Sequence, residues 1–356
     1  MIRPVTQLAT MAPYELASLD NSLVSLAQNE SLLPPSPKAL EAGQRALSSA
    51  ELYPDPDWTE LREAIASVHQ LDARKILCGA GSMELIATCL QAYAGVDDEV
   101  LGAEFGYLFV ATVCQAIGAR YIQAAESNYK ICIDSMLAKV TTKTRIVFVC
   151  NPGNPTGTRI SNSEIIRLRE QLSQNVLLII DQAYAEFDDQ SHDSIFALVE
   201  QQNTIVLRTF SKAYCMAGLR LGWGVFPEHI ASEVRKLLNP NNVSVVTQAM
   251  GVSVMQDQAY LKQVVDTTAT IRKRFQNALA AGSLTTPESH TNFVLVPFNN
   301  SSEAGKADVA LKENGFLARG MGGYGLDHCL RVTMASDDVM DAVAALLVSL
   351  KQEAFK

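Results

Sequence analysis

No apolar run in this 356-residue chain approaches the ~18 residues needed to cross a bilayer. Its first stretch, MIRPVTQLATMAPYE, has no apolar core of a secretion leader, so a soluble protein of the cytoplasm is expected. Cysteine is sparse: the seven thiols, at positions 78, 89, 114, 132, 150, 215 and 329, are odd in number and form no CxxC pair. That excludes a disulfide framework and argues against a thiolate metal site. Positive charge is in deficit, with 29 Lys and Arg against 38 Asp and Glu and a net charge of −9. A nucleic acid or an anionic membrane would find no basic footprint here. No HExxH or paired-carboxylate arrangement occurs, so no metal and no hydrolase chemistry is expected. What remains is an ordinary globular composition, 48% apolar and 19% charged, of a length that suggests about two domains.

The middle of the chain alternates strand-like and helix-like segments. β-Branched runs at 146–150 (IVFVC), 176–180 (VLLII) and 204–208 (TIVLR) are separated by amphipathic stretches such as 161–173. This pattern predicts a parallel sheet with crossover helices, in which ligands bind beyond the carboxyl ends of the strands. After the first run comes the turn-rich NPGNPTG (151–157). After the second come Asp181 and Tyr184, in DQAYAEF. The third leads to Thr209, Ser211 and Lys212, in TFSKAYCMAGLRLGWG, where LGWGVF (221–226) is expected to return as an antiparallel strand. Residues 213–218 after Lys212 are small or apolar, a setting that disfavours an ammonium ion and lowers its pKa.

An amine, a carboxylate, an amide and a phenol at one sheet edge suit pyridoxal phosphate. That cofactor needs a lysine for its aldehyde, an anion for its ring nitrogen, donors to its phenolate oxygen and a phosphate cradle. Lys212, Asp181, and Asn154 with Tyr184 meet the first three needs, and Ser211 and Arg220 flank the lysine for the fourth. In CGAGSMELIATCL (78–90), the amides of Ser82 and Met83 at a helix start would face an anion. Each residue alone has a plain structural reading. Lys212 could be a lysine packed along its stem, Asp181 a helix cap, Asn154 a turn residue and GAGS a helix-entry turn.

NPGNPTG, IIDQAYAEF and RTFSKAYCMAGLRLGWG resemble the three core motifs of fold-type I pyridoxal-phosphate aminotransferases, and within them the histidinol-phosphate aminotransferase branch. SLAQNESLLPPSP (25–37), LYPDPDWTELREAIA (52–66), HTNFVLV (290–296) and CLRVTMAS (329–336) extend the resemblance over nearly the whole chain. It implies an α/β fold in which a large domain, residues 35–245, carries a mostly parallel central sheet flanked by helices. A smaller α+β domain would combine residues 1–34 with 246–356.

The resemblance also implies roles. Lys212 would be the Schiff-base lysine and proton carrier, Asp181 the partner of the ring nitrogen, and Asn154 and Tyr184 the donors to the phenolate oxygen. Tyr107 would stack on the ring, and Ser82, Met83, Thr209, Ser211 and Arg220 would bind phosphate. Tyr53 would reach the neighbouring subunit's cofactor, making a homodimer with shared active sites. Arg331 would take the substrate's carboxylate or phosphate, with Arg319, Tyr14 and Asn154 completing the substrate site. Departures from the branch pattern fall at Met83, where aspartate is usual, at Gln182, where glutamate is common and the change is expected to be neutral, in LASLDNSLVSL (16–26) and in LARGMGGYG (317–325). The implied reaction is a two-stage amino transfer from an amino donor to a keto acceptor, here histidinol phosphate and 2-oxoglutarate. An aromatic aminotransferase and a threonine-phosphate decarboxylase-like lyase are the alternatives. A cofactor-free Schiff-base aldolase would leave Asp181, Asn154 and Arg220 without a purpose.

Overall fold

The structure, a computed structural model, describes residues 2, 4–11, 22–201 and 203–353. Its strands, in chain order, are β1 (Val24–Ser25), β2 (Ile76–Gly79), β3 (Glu99–Ala103), β4 (Arg120–Ala124), β5 (Thr144–Cys150), β6 (Leu177–Asp181), β7 (Thr204–Thr209), β8 (Gly222–Val225), β9 (Phe293–Pro297), β10 (Phe316–Leu317), β11 (Arg319–Gly320) and β12 (Cys329–Thr333). β6 and β7 are buried along their whole length, which is why they read as continuous apolar runs rather than alternating ones.

Seven strands form one sheet in the order β2-β8-β7-β6-β5-β3-β4. β8 alone runs against its neighbours, as expected of LGWGVF, and the remaining strands are parallel to one another. The order reverses between β3 and β5, so a crevice opens beyond their carboxyl ends. Register brings the chemistry level: Cys150 pairs with Asp181, and Thr209 pairs with Gly222, which also pairs with Gly79. The connecting helices start on local signals. Ser161 accepts a hydrogen bond from the Glu164 amide and so begins Asn162–Gln171, inside the amphipathic stretch 161–173.

Apolar side chains gather into two main clusters. One surrounds the seven-stranded sheet, from Ala39 to Met255. The other joins Leu26 to residues between Ile271 and Leu347, around the antiparallel sheet β11-β12-β9. Helix Val245–Gln256 inserts Met250, Val254 and Met255 into the first cluster, so it packs with the large sheet. The long helix Gln258–Ala281 follows directly and sends Ile271, Phe275 and Leu279 into the second. Between the two, Tyr184, Phe187, Ala213, Val264 and Phe293 form a smaller apolar seam.

One buried cation locks a crossover. Arg169, 1% exposed, donates to the carbonyls of Leu172, Ser173, Val176 and Asn203 at 2.7–3.2 Å. Those carbonyls end its own helix and lead into β6 and β7, so one planar guanidinium ties together a turn in which backbone amides reach only the Ser173 and Asn203 carbonyls. Arg169→Met is expected to destabilise the protein by about 3 kcal/mol, because buried carbonyls lose charge-assisted partners, and Arg169→Lys to recover only part of it. Thermal unfolding monitored by circular dichroism checks this, and a methionine variant melting with the wild type would refute it.

Candidate active site

A cleft of about 380 Å³ lies beyond the carboxyl ends of β5, β6 and β7. Ser82, Met83, Tyr107, Asn154, Asp181, Tyr184, Thr209, Ser211, Lys212, Arg220, Arg319 and Arg331 all line it. Of the remaining sequence candidates, Tyr53 is 88% exposed and lies away from the cleft of its own chain. Tyr14 lies outside the described residues.

At one end the backbone is shaped for an anion. Gly81 has a φ of +83° and precedes helix Ser82–Tyr93. A Cβ on Gly81 would collide with the Arg220 guanidinium, and one on Gly222 would collide with the Ser82 amide. Both glycines are therefore required for two polypeptide segments to approach this closely. The helix start, the Ser211 hydroxyl 3.4 Å from Arg220, and Thr209, which accepts from the Ser211 amide at 3.1 Å, make the pocket polar and positive. Glu84 braces the loop from behind, accepting from the Ala80 amide at 2.6 Å and from Asn242 at 2.7 Å.

At the centre lie a half-buried amine and a buried carboxylate. Lys212 donates to the carbonyls of Gln28 and Asn29 at 3.2 and 2.9 Å. Burial, followed by Arg331 and Arg220, lowers its pKa to about 7 against the opposing pull of Glu30 and Asp181. Asp181 is 3% exposed and accepts from the Ala183 amide at 3.1 Å. Burial pushes its carboxyl up to about 7, with Ala183 and Lys212 acting the other way. Tyr184 is buried beside them, its ring edge-on to Phe293 at 5.2 Å. Tyr107 stands immediately before helix Leu108–Ile117 on the opposite wall.

At the far end, Arg319 and Arg331 face each other across β11 and β12 in direct register. Arg331 donates to Asn154 Oδ1 at 2.6 Å and to the Ala27 carbonyl at 2.7 Å. Both line the cleft, so this end presents two guanidinium groups to a ligand.

The residues that sequence reasoning missed include Ala27, Gln28, Asn29, Glu30, Cys150 and Tyr324, all on the cleft wall. The first four sit in SLAQNESLLPPSP, whose polar pair Asn29-Glu30 inside an apolar stretch was the available signal. Gln182 turns its carbonyl to Arg208, accepting from Nε and a terminal nitrogen at 3.2 Å each, away from the cleft. Asp188, Asp189 and His290 come close enough to suggest a cation site. Arg159 pairs with both carboxylates, and His192 and His290 bond to Asp188 at 2.7 and 3.0 Å, so the group is an ion-pair junction. Burial opposes charge on Asp188, but the two histidines outweigh it and hold its carboxyl below the usual range.

Residues 21–347 match the family described as Aminotransferase class I and II. The chain is 40% identical to a histidinol-phosphate aminotransferase of Paramagnetospirillum magneticum over 91% of each chain. It is 38% identical to that of Zymomonas mobilis over 99% of this chain and 98% of the relative. Its structure superposes on a solved histidinol-phosphate aminotransferase of Sinorhizobium meliloti in complex with pyridoxal-5'-phosphate. The TM-score there is 0.92, with 25% identity over 99% of both chains.

The displaced groups give a pH signature in the cofactor-free protein. Asp181 titrates near 3.8 when unfolded and near 7 when folded, so its contribution is fully present below 3.8 and lost as pH rises through 7. Asp181→Asn removes this penalty. Its gain in unfolding free energy over the wild type, from denaturant titrations, should be nil near pH 4, grow toward pH 7 with a limiting slope of about 1.4 kcal/mol per unit, and then level off. Lys212→Met should give the mirror profile, with a gain that vanishes above 10.5 and grows as pH falls to about 7. Flat differences across this range would contradict the desolvated site.

Proposed function

The chain belongs to the class I and II aminotransferase family, and from that premise we propose that it transfers the amino group of histidinol phosphate to 2-oxoglutarate. It is a pyridoxal-phosphate-dependent transaminase. The residues present fit that cofactor: an anion pocket that a Cβ at either glycine would fill, a buried carboxylate, and an amine of lowered pKa, all on one cleft. When bound, the cofactor supplies an electron sink for the charge left on the substrate's α-carbon.

Each residue then has a task. Ser82, Met83, Thr209, Ser211 and Arg220 hold the phosphate, and Tyr107 covers the ring. The Asp181 carboxylate holds a proton on the ring nitrogen, since a buried carboxylate gains most from a cationic partner. Asn154 and Tyr184 donate to the phenolate oxygen. Lys212 Nζ would hold the aldehyde and would carry the proton of the substrate's α-carbon; a pKa near 7 suits an amine that must both accept and return a proton. Arg331 and Arg319 bind the substrate's anionic groups.

The observation that carries the substrate assignment is the Arg319–Arg331 pair in direct register. A phosphate dianion can accept charged hydrogen bonds from both guanidiniums, which an aromatic side chain cannot. We also propose two domains divided after helix Val245–Gln256 rather than at residue 245, because that helix packs with the large sheet. The seven thiols, all free, suit a reducing cytoplasm, the compartment we propose. No described helix is long and apolar enough to cross a membrane.

The half-reactions test the substrate. Histidinol phosphate should show a higher kcat/KM than phenylalanine or tyrosine, by about two orders of magnitude if the guanidinium pair contributes ~3 kcal/mol of charged hydrogen bonding. Lys212→Ala should abolish turnover and the visible cofactor band, and Arg331→Ala should impair both the glutamate and histidinol-phosphate half-reactions. A preference for phenylalanine would make the protein an aromatic aminotransferase, and carbon dioxide release from threonine phosphate would make it a decarboxylase.

Tyr53 and its neighbour Leu52 are 88% and 64% exposed in a segment without regular structure, and we place them against a second copy of the chain. Tyr53→Phe is then expected to weaken cofactor binding about tenfold, the loss of one hydrogen bond to a charged group, and to leave kcat near the wild-type value with saturating cofactor. A fully active monomer by light scattering at assay concentration would refute the shared site.

A further inference from the structure

Among the described residues, the hydroxyl of Tyr184 has one hydrogen-bonding neighbour, the side-chain amide of Asn29 at 2.9 Å. The orientation of that amide follows from its surroundings. The Asn29 backbone N–H donates to Thr333 Oγ1 at 3.0 Å, and the Thr333 hydroxyl donates to Asn29 Oδ1 at 3.3 Å. Were the amide turned the other way, the Thr333 proton, in a residue 3% exposed, would have no acceptor among the described residues. Asn29 therefore presents Nδ2 to the phenol. An NH₂ group only donates, so the phenol oxygen accepts and its proton lies elsewhere. Tyr184 lines the cleft, and that is the side on which the proton is left.

We propose that Asn29 is a positioning residue: by donating to the Tyr184 oxygen it turns the Tyr184 proton into the cleft, toward the cofactor's phenolate oxygen. This rests on the placement of Tyr184 at that oxygen in the reading above. Asn154 is set by the same logic, since Arg331 donates to its Oδ1 and leaves its NH₂ group for the cleft. Asn29 suits the task because its φ is +55°, a left-handed conformation that asparagine tolerates and most side chains do not. The same twist presents its carbonyl to Lys212 at 2.9 Å and to Asn292 at 3.1 Å. One residue, 2% exposed, thus governs both the tyrosine's proton and the resting amine.

The test is a pH titration of the visible absorbance of the protein loaded with pyridoxal 5'-phosphate. A donor on the phenolate oxygen weakens that oxygen's hold on the proton of the neighbouring nitrogen, so losing the donor moves the midpoint to higher pH. Tyr184→Phe should raise it by about one unit, the equivalent of one hydrogen bond to a charged group. Asn29→Gly keeps the left-handed backbone and the carbonyl that meets Lys212. It should raise the midpoint by about half a unit in the wild type, because the phenol proton is then free to turn away, and leave it unmoved in the Tyr184→Phe background. Thr333→Val, which frees the amide to turn, should act in the same direction, more weakly, and be equally silent in that background. It keeps the test open if Asn29→Gly does not fold. No shift for Tyr184→Phe would overturn both the placement of Tyr184 and this inference. A shift for Tyr184→Phe with none for Asn29→Gly and Thr333→Val would overturn the inference alone. A shift for Asn29→Gly that persists undiminished without the Tyr184 hydroxyl would overturn it as well.

Discussion

Lys212 and Asp181 are drawn away from water, the amine in part and the carboxylate fully, without being allowed to neutralise each other. A direct pair would be the cheapest way to bury two opposite charges, yet the amine rests on two carbonyls and the carboxylate on one amide. Each group is left near pH 7, the point at which a small change in its surroundings decides its charge. The surrounding structure serves this separation. The parallel strands set Asp181 at the end of β6, the turn after β7 brings Lys212 to the same edge, and the N-terminal segment lays its carbonyls across the gap. A charged bridging ligand is what such an arrangement accommodates, and pyridoxal phosphate, with a cationic ring nitrogen and an aldehyde, is of that kind.

The cofactor end of the site was legible in the sequence because its residues follow buried strands directly. Asp181, Lys212, Asn154 and the Ser82 loop could be found from apolar runs and the residues after them, and the antiparallel return at Gly222 from its distance to the lysine. The substrate end was much less legible. The register of Arg319 with Arg331 depends on two-residue β11, too short for periodicity to reveal. Asn29 bonds to residues 155 and 304 positions away, and a local window shows only a polar residue in an apolar stretch. Gln182, read as a neutral replacement, is the buried acceptor for Arg208, a partnership set by β6 lying beside β7. The expected domain edge at 245 falls at the start of helix Val245–Gln256, since a helix that joins either core carries the same apolar signal.

Gly81 and Gly222 show how little room the anion pocket leaves. Neither glycine is placed for flexibility. Each removes a methyl-sized obstacle between two segments that must touch, the Ser82 amide in one case and the Arg220 guanidinium in the other. The donors are thereby held where they are needed before any ligand arrives, which lowers the ordering cost of binding.

The bonds that join Ala27 and Asn29 to Arg331 and Thr333 span 304 residues, and this gives the molecule a history as well as a shape. A chain made from its amino terminus completes the sheet that carries Asp181 and Lys212 while β12 has yet to be synthesised. During that interval the N-terminal segment has no β12 to join, and the amine lacks the neighbour that most depresses its charge after burial itself. Lys212 therefore lacks the Arg331 contribution to its lowered pKa until the last strand closes the ring of contacts. In this protein the full shift of the amine depends on completed folding, because one of its causes comes from the last strand.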